Sequence, residues 1–161
     1  MLRKLALYWD GQWFLKTVDE FGLEAGVRMN ARVRASFGRI EMRLMLKALD
    51  KRQADSLVDA MEIVGLYGQV LMGGALQAEP LAVTPERAEL VVRRCAAYEG
   101  ARLAGLARSD QACVACELLW GAWLETLLPG QPVEVVYPMR QGKDDPHCHF
   151  IFTLVGPEAG R

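Results

Sequence analysis

Apolar residues recur at helical spacing through the first half of the chain, then give way to short runs that alternate as strands do. Trp13, Phe14, Val18 and Phe21 mark one face of a first helix, which Asp10 can cap and Gly22 can end. Leu23 to Leu49 predicts a second helix with Val27, Ala31, Ile40, Leu44 and Ala48 turned inward. Gly38 stands inside it and predicts a split, because glycine costs about 1 kcal/mol in a helix relative to alanine. A third helix is predicted after Asp50, running to Met72 with Leu57, Met61, Val64 and Leu71 buried, and Gly73-Gly74 stops it.

From there the period changes. Leu76 to Val83 and Glu89 to Cys95 read as the arms of a hairpin around Thr84-Pro85-Glu86. A short helix over Ala96 to Ala107 follows, and then a longer one, capped by Ser109 or Asp110, that runs to Leu128 and is closed by Pro129-Gly130. Val133 to Tyr137 and His147 to Leu154 predict two more strands, joined by the polar, turn-rich segment Arg140 to Pro146. The expected architecture is α+β: N-terminal helices packed with a small antiparallel sheet of about four strands, and a Cys-x-x-Cys helix in the C-terminal half. One domain over 1–161 is expected, helical over 8–72 and mixed over 76–154, with a disordered tail over 155–161.

Composition narrows the classes of function. A chain that is 52% hydrophobic and 24% charged is globular in type. Its net charge of −1 supplies no global field toward nucleic acid or anionic lipid. The basic start Met1 to Leu7 is cut short by Tyr8-Trp9-Asp10-Gly11, well under the apolar stretch of a signal peptide. Nothing approaches the roughly 18 apolar residues of a membrane span. A cytoplasmic protein is therefore expected, with neither nucleic acid nor membrane as partner. In that reducing compartment four cysteines are core residues, metal ligands or reactive groups before they are disulfides.

The cysteines carry the candidate chemistry. Cys113 and Cys116 lie three apart, on the helical stripe that continues through Trp120, Trp123, Leu124 and Leu127, so both face inward. In a first turn, free N–H groups and the helix dipole favour a thiolate at Cys113. In the run His147-Cys148-His149-Phe150-Ile151-Phe152, alternation turns Cys148 inward with the two phenylalanines and both histidines outward. A mixed set of two cysteines and two histidines is thereby disfavoured, while Cys-x-x-Cys with Cys148 is geometrically easier. Cys95 could complete a four-thiolate site for zinc or iron, although regular alternation groups it with Glu89, Val91 and Arg93. Core packing of all four thiols is the plain alternative. Thioredoxin-type chemistry lacks its required strand just before the motif.

Other features add less. Arg28, Arg32, Arg39, Arg43 and Lys47, interrupted by Glu24 and Glu41, read as a solvated helix face. Tyr8, Trp9, Trp13 and Phe14 read as core anchors first, with an apolar pocket wall or a dimer seam as alternatives. Arg94 and Arg140, near the cysteine motifs, offer forked donors to a ligand carboxylate, and Trp120 an aromatic wall.

The hairpin ending in cysteine, the segment Cys113-Val114-Ala115-Cys116-Glu117 and the closing Asp145-Pro146-His147-Cys148-His149-Phe150 resemble the 4-vinyl-reductase type of small-ligand domain. They are also similar to the L-2-amino-thiazoline-4-carboxylic acid hydrolase family and to a related bacterial family of unknown function. The opening of that last group is resembled by Tyr8-Trp9-Asp10-Gly11-Gln12-Trp13-Phe14. The resemblance implies an α+β ligand-binding fold, often dimeric, with a thiol-rich metal or small-molecule site at Cys113 or Cys116 and Cys148. The hydrolase likeness implies opening of a cyclic amidine-like ring by water. One departure is Gly142-Lys143-Asp144-Asp145, where the vinyl-reductase-type pattern prefers Gly-Asp just before its final Cys-x-Phe.

Two functional expectations follow, beside a plain structural protein with core cysteines. In the first, a hydrolase cleaves a cyclic C–N bond in a small carboxylate-bearing substrate. Cys113 or Cys148 is nucleophile or metal ligand, His147 or His149 the acid–base, and Arg94 or Arg140 the clamp. In the second, a non-enzymatic module binds a metal or an apolar ligand as a sensor or carrier.

Overall fold

The computed structural model describes residues 1–106 and 108–156. Ala107, the expected end of the fourth helix, and most of the expected tail, 157–161, lie outside them. Among the described residues there are five α-helices and a four-stranded antiparallel sheet. The elements run α1 (Leu2–Phe21), α2 (Leu23–Ala48), α3 (Leu57–Leu71), β1 (Leu76–Val83), β2 (Arg87–Cys95), α4 (Ala96–Leu103), α5 (Val114–Leu127), β3 (Val133–Met139) and β4 (Cys148–Leu154). Short 3-10 turns cover Gly73–Ala75, Ser109–Cys113 and Gln141–Lys143. The sheet order is β1-β2-β4-β3.

Gly22, at φ 82°, ends α1 as its sequence position suggests, since only glycine takes that backbone angle without strain. Asp10 does not cap α1. The helix starts eight residues earlier, at Leu2, and Asp10 lies in its middle, paired with Arg34 of α2. Ser56 caps α3 by accepting from the Asp59 N–H.

Gly38 does not split α2 either. The helix is continuous, and the missing side chain makes room for α5: a Cβ there would stand 2.7 Å from Leu119 Cδ1 and 3.2 Å from the Trp123 ring. Close helix approach, not flexibility, accounts for that glycine. We expect Gly38→Val to lower folding stability by about 1–3 kcal/mol through overpacking. Urea unfolding measures it, and an unchanged midpoint would mean that the two helices are not in contact there.

The core joins α2, α3 and α5 to one sheet face. Met42 and Leu46, Leu57 and Ile63, and Trp120, Leu124 and Leu127 meet Ala88, Val92, Phe150 and Phe152. The inward stripe expected on α5 is thus observed. On α2 the expectation holds for Val27 and Ala31 and fails for Ile40, Leu44 and Ala48, which are exposed. Gly38, Glu41 and Met42 face inward in their place. The sequence pattern mistook a second apolar stripe for the buried one.

The aromatic anchors also depart from expectation. Trp9 and Trp13 are 69% and 63% exposed, Tyr8 is exposed, and α1 contributes no buried residue. The N-terminal helix lies across α2 without entering the core.

Candidate functional site

Four chain segments bring the cysteines together. Cys95 ends β2 and precedes α4, Cys113 closes the 3-10 turn ahead of α5, Cys116 lies in the first turn of α5, and Cys148 opens β4. The Cys-x-x-Cys pair thus straddles a 3-10 turn and a helix start instead of sitting within one helix. No side chain caps α5, so the expected capping role of Asp110 is not observed.

The direction of Cys95 is set by a β-bulge. Gln77 pairs with Arg94 but Ala78 pairs with Val92, so Arg93 is the extra residue. One inserted residue reverses the alternation. Cys95 therefore packs with Cys116 and Cys148 against the core, not with Glu89, Val91 and Arg93.

The thiols are close enough to influence one another. Burial is the main cause that pushes Cys113 up to about 11, and the neighbouring Cys95 and Cys148 add to it. Cys116 is held well above the thiol range, first by burial and then by Cys95, Cys113 and Cys148. Burial raises Cys148 too, with a further push from Cys95. The helix-start effect expected to favour a Cys113 thiolate is outweighed, because loss of solvent penalises the charged form more.

Opposing forces come from the segment before β4. The backbone N–H of Gln141 donates to Cys148 Sγ at 3.4 Å, and that of Gly142 to Cys113. Gly142 presses close: a Cβ on it would fall 2.9 Å from Cys113 Sγ. The Arg140 guanidinium favours the charged form of Cys113, Cys116 and Cys148. It lies 4.1 Å over the Tyr137 ring and pairs with Glu117 at 2.5 Å, while its buried Nε has no partner.

Four neighbouring thiols are the residue type that binds a soft divalent ion, and the two backbone N–H groups aimed at sulfur favour their thiolates, while the Arg140 charge opposes a cation. Their spacing does not close into a coordination shell: among the described residues, no group of three or more His, Cys, Asp or Glu is set to hold a metal.

The remaining candidates are dispersed. His149 Nε2 is 2.9 Å from Glu89 Oε2, on the sheet face opposite Phe150 and Phe152, as alternation predicts. His147 is half-buried just before β4. Arg94 Nε pairs with Glu99 at 3.0 Å on the surface. Trp120 is buried against Trp123, Phe150 and Phe152.

A second polar centre escaped the sequence reading. Glu41, expected on a solvated face, is only 5% exposed. Its carboxyl group accepts from Tyr67 Oη and, at 2.9 Å, from Trp123 Nε1. Burial first, then Glu41, keeps the Tyr67 phenol far above its usual range, so it remains a donor. Tyr67, Trp123 and Trp120 stack edge to face around this group. Its signal was available: Glu41 falls on the α2 face shared by Ala31 and Gly38, where small residues mark close packing. An open cleft of about 170 Å³ between α1 and α2 is lined by Asp10, Trp13, Met29 and Val33, among others.

A helical layer over an antiparallel β1-β2-β4-β3 sheet defines an α+β fold that recurs among solved structures. One of them is the phenol-responsive sensory domain of the transcription activator PoxR with phenol, 16% identical to this chain. The match has a TM-score of 0.60 and covers 89% of this chain and 72% of that one, a likeness of fold. No family model matches the chain, nor does any curated protein. No described helix is long and apolar enough to cross a membrane.

Proposed function

We propose that this chain is a non-enzymatic small-molecule-binding module of the sensory kind. The observation that carries the reading is the fold shared over most of the chain with a domain that senses phenol. A small aromatic ligand bearing one hydrogen-bond donor would enter by displacing Tyr67 or Trp123 from Glu41, whose two carboxyl oxygens accept from them, and the acceptor among aromatic walls would then orient it. As placed, Cys95, Cys113, Cys116 and Cys148 do not close around an ion; only by drawing in would they hold zinc, which would then cross-link β2, α5 and β4. A hydrolase of a cyclic C–N bond has less support, since a thiol kept protonated by burial is a poor nucleophile. His149, one of its two acid–base candidates, is tied to Glu89.

Thermal unfolding with phenol and with cyclohexanol tests the ligand reading. At a concentration a hundredfold above Kd, the aromatic alcohol is expected to raise Tm by roughly 5–10 °C. Cyclohexanol should do much less, and Glu41→Gln should weaken binding about tenfold or more. Equal shifts with both alcohols, or none in a panel of small phenols and anilines, would remove the proposal.

A further inference from the structure

Helices α1 and α2 form a hairpin around Gly22, which at φ 82° is the single residue between them. Two pairs pin its arms together. Four residues to either side of the turn, Val18 presses so closely on Gly26 that a Cβ there would stand 2.6 Å from Val18 Cγ2. Twelve residues to either side, Asp10 pairs with Arg34, the one salt bridge among the described residues that ties α1 to another element. Between these pins lies the cleft of about 170 Å³, walled by Trp13 and Phe14 of α1 and by Met29, Asn30 and Val33 of α2. A cavity of about 150 Å³ admits benzene, so a single aromatic ring fits.

The cleft leads toward Glu41. Asn30, Arg34 and Glu41 follow one another on one face of α2, at steps of four and seven residues. Asn30 lines the cleft and Arg34 holds Asp10 at its end, while Glu41 lies about 10 Å further along, at 1.5 Å of rise per residue. The ion pair therefore stands between the cleft and the buried carboxyl group. After burial and Glu41 itself, both of its charges act on the Tyr67 phenol. The Arg34 and Asp10 side chains are 23% and 44% exposed, and a pair that open to water is weak. Since α1 contributes no buried residue, its free end can swing without disturbing the core.

We propose that this cleft is the entrance by which a small aromatic alcohol reaches Glu41, with the Asp10–Arg34 pair as its latch and α1 as a lid that turns about Gly22. The inference rests on the ligand reading above and adds the route to that site. Trp13 and Phe14 give the incoming ring its first contact. Opening breaks one partly exposed ion pair, and the Val18–Gly26 contact, next to the hinge, stays closed. The molecule then arrives beside Tyr67 and takes the place of its phenol on Glu41.

Stopped-flow mixing of the full chain with phenol, followed by tryptophan fluorescence, tests it. Asp10→Asn, which releases the latch, is expected to raise the association and dissociation rates together by roughly two- to fivefold, the effect of one exposed ion pair. Met29→Phe and Val33→Phe, which narrow the cleft, should slow both rates by roughly tenfold. Those two side chains are 52% and 54% exposed, so circular dichroism should be unchanged. In each variant Kd should stay within about twofold, because a group on the path changes the barrier and not the bound state. Unchanged rates in all three variants, with Glu41→Gln still weakening binding, would overturn the entrance and leave the ligand reading standing. Wild type that binds neither phenol nor any of the small phenols and anilines would remove both. Affinity lost through faster dissociation alone would make the cleft the binding site itself, which also overturns the route.

Discussion

Replacing Phe152 with alanine is expected to lower folding stability by about 3–5 kcal/mol. Phe152 is fully buried, with its ring centroid 4.7 Å from that of Trp120 and its backbone paired with Ala88 on one side and Val135 on the other. The void cannot collapse easily. Ala88 has only a methyl, too short to extend into it, and Trp120 is held on its other flanks by Trp123 and Phe150. Urea denaturation of wild type and variant gives the difference directly. A loss below about 1.5 kcal/mol, the range of a tolerated core swap, would contradict the packing of α5 on the sheet.

If the thiols of Cys95, Cys113, Cys116 and Cys148 draw in around an ion, protein purified without chelator carries about one zinc per chain, and its removal lowers stability by several kcal/mol. Structural zinc in finger peptides binds with about 10–16 kcal/mol, much of it available to folding because the unfolded chain has no preformed site. Cys116→Ser should abolish retention of zinc, whereas a plain core cysteine would cost only a small change in stability. Elemental analysis and thermal unfolding on the same samples separate the two, and wild type free of zinc and iron would end the metal reading. In the stripped protein, the folded pKa of Cys113 lies near 11, above the ordinary thiol value of 9.0. That contribution is present below pH 9 and fades as pH rises through about 11. Bound metal reverses the dependence, since zinc must displace the thiol protons and is lost on acidification.

Much of the architecture was legible in the residue pattern. β1 has the bounds its alternation predicts, the turn at Thr84 to Glu86 is where proline and polar residues put it, and the α5 stripe faces the core. These features rest on local periodicity and turn chemistry, which need no knowledge of distant neighbours. Errors arose where two readings fit the same period. Both the Val27–Ala31 face and the Val33–Leu44 seam of α2 are helical stripes, and only α5 shows which is covered. Glu41 fell in the wrong class for the same reason: its partners Tyr67 and Trp123 lie 26 and 82 residues away.

The sequence by itself determined an α+β chain with an inward Cys148, an inward Cys-x-x-Cys segment and His149 on the outer side of the last strand. Those are consequences of spacing along one strand or helix. Only the tertiary structure decided that Cys95 joins them, because a single inserted residue in β2 inverts its direction and no local signal marks that bulge. It also decided that burial outweighs the helix start at Cys113, and that a charged residue of α2 is interior. Desolvation depends on everything packed around a group, and that is a property of the fold, not of the neighbouring letters.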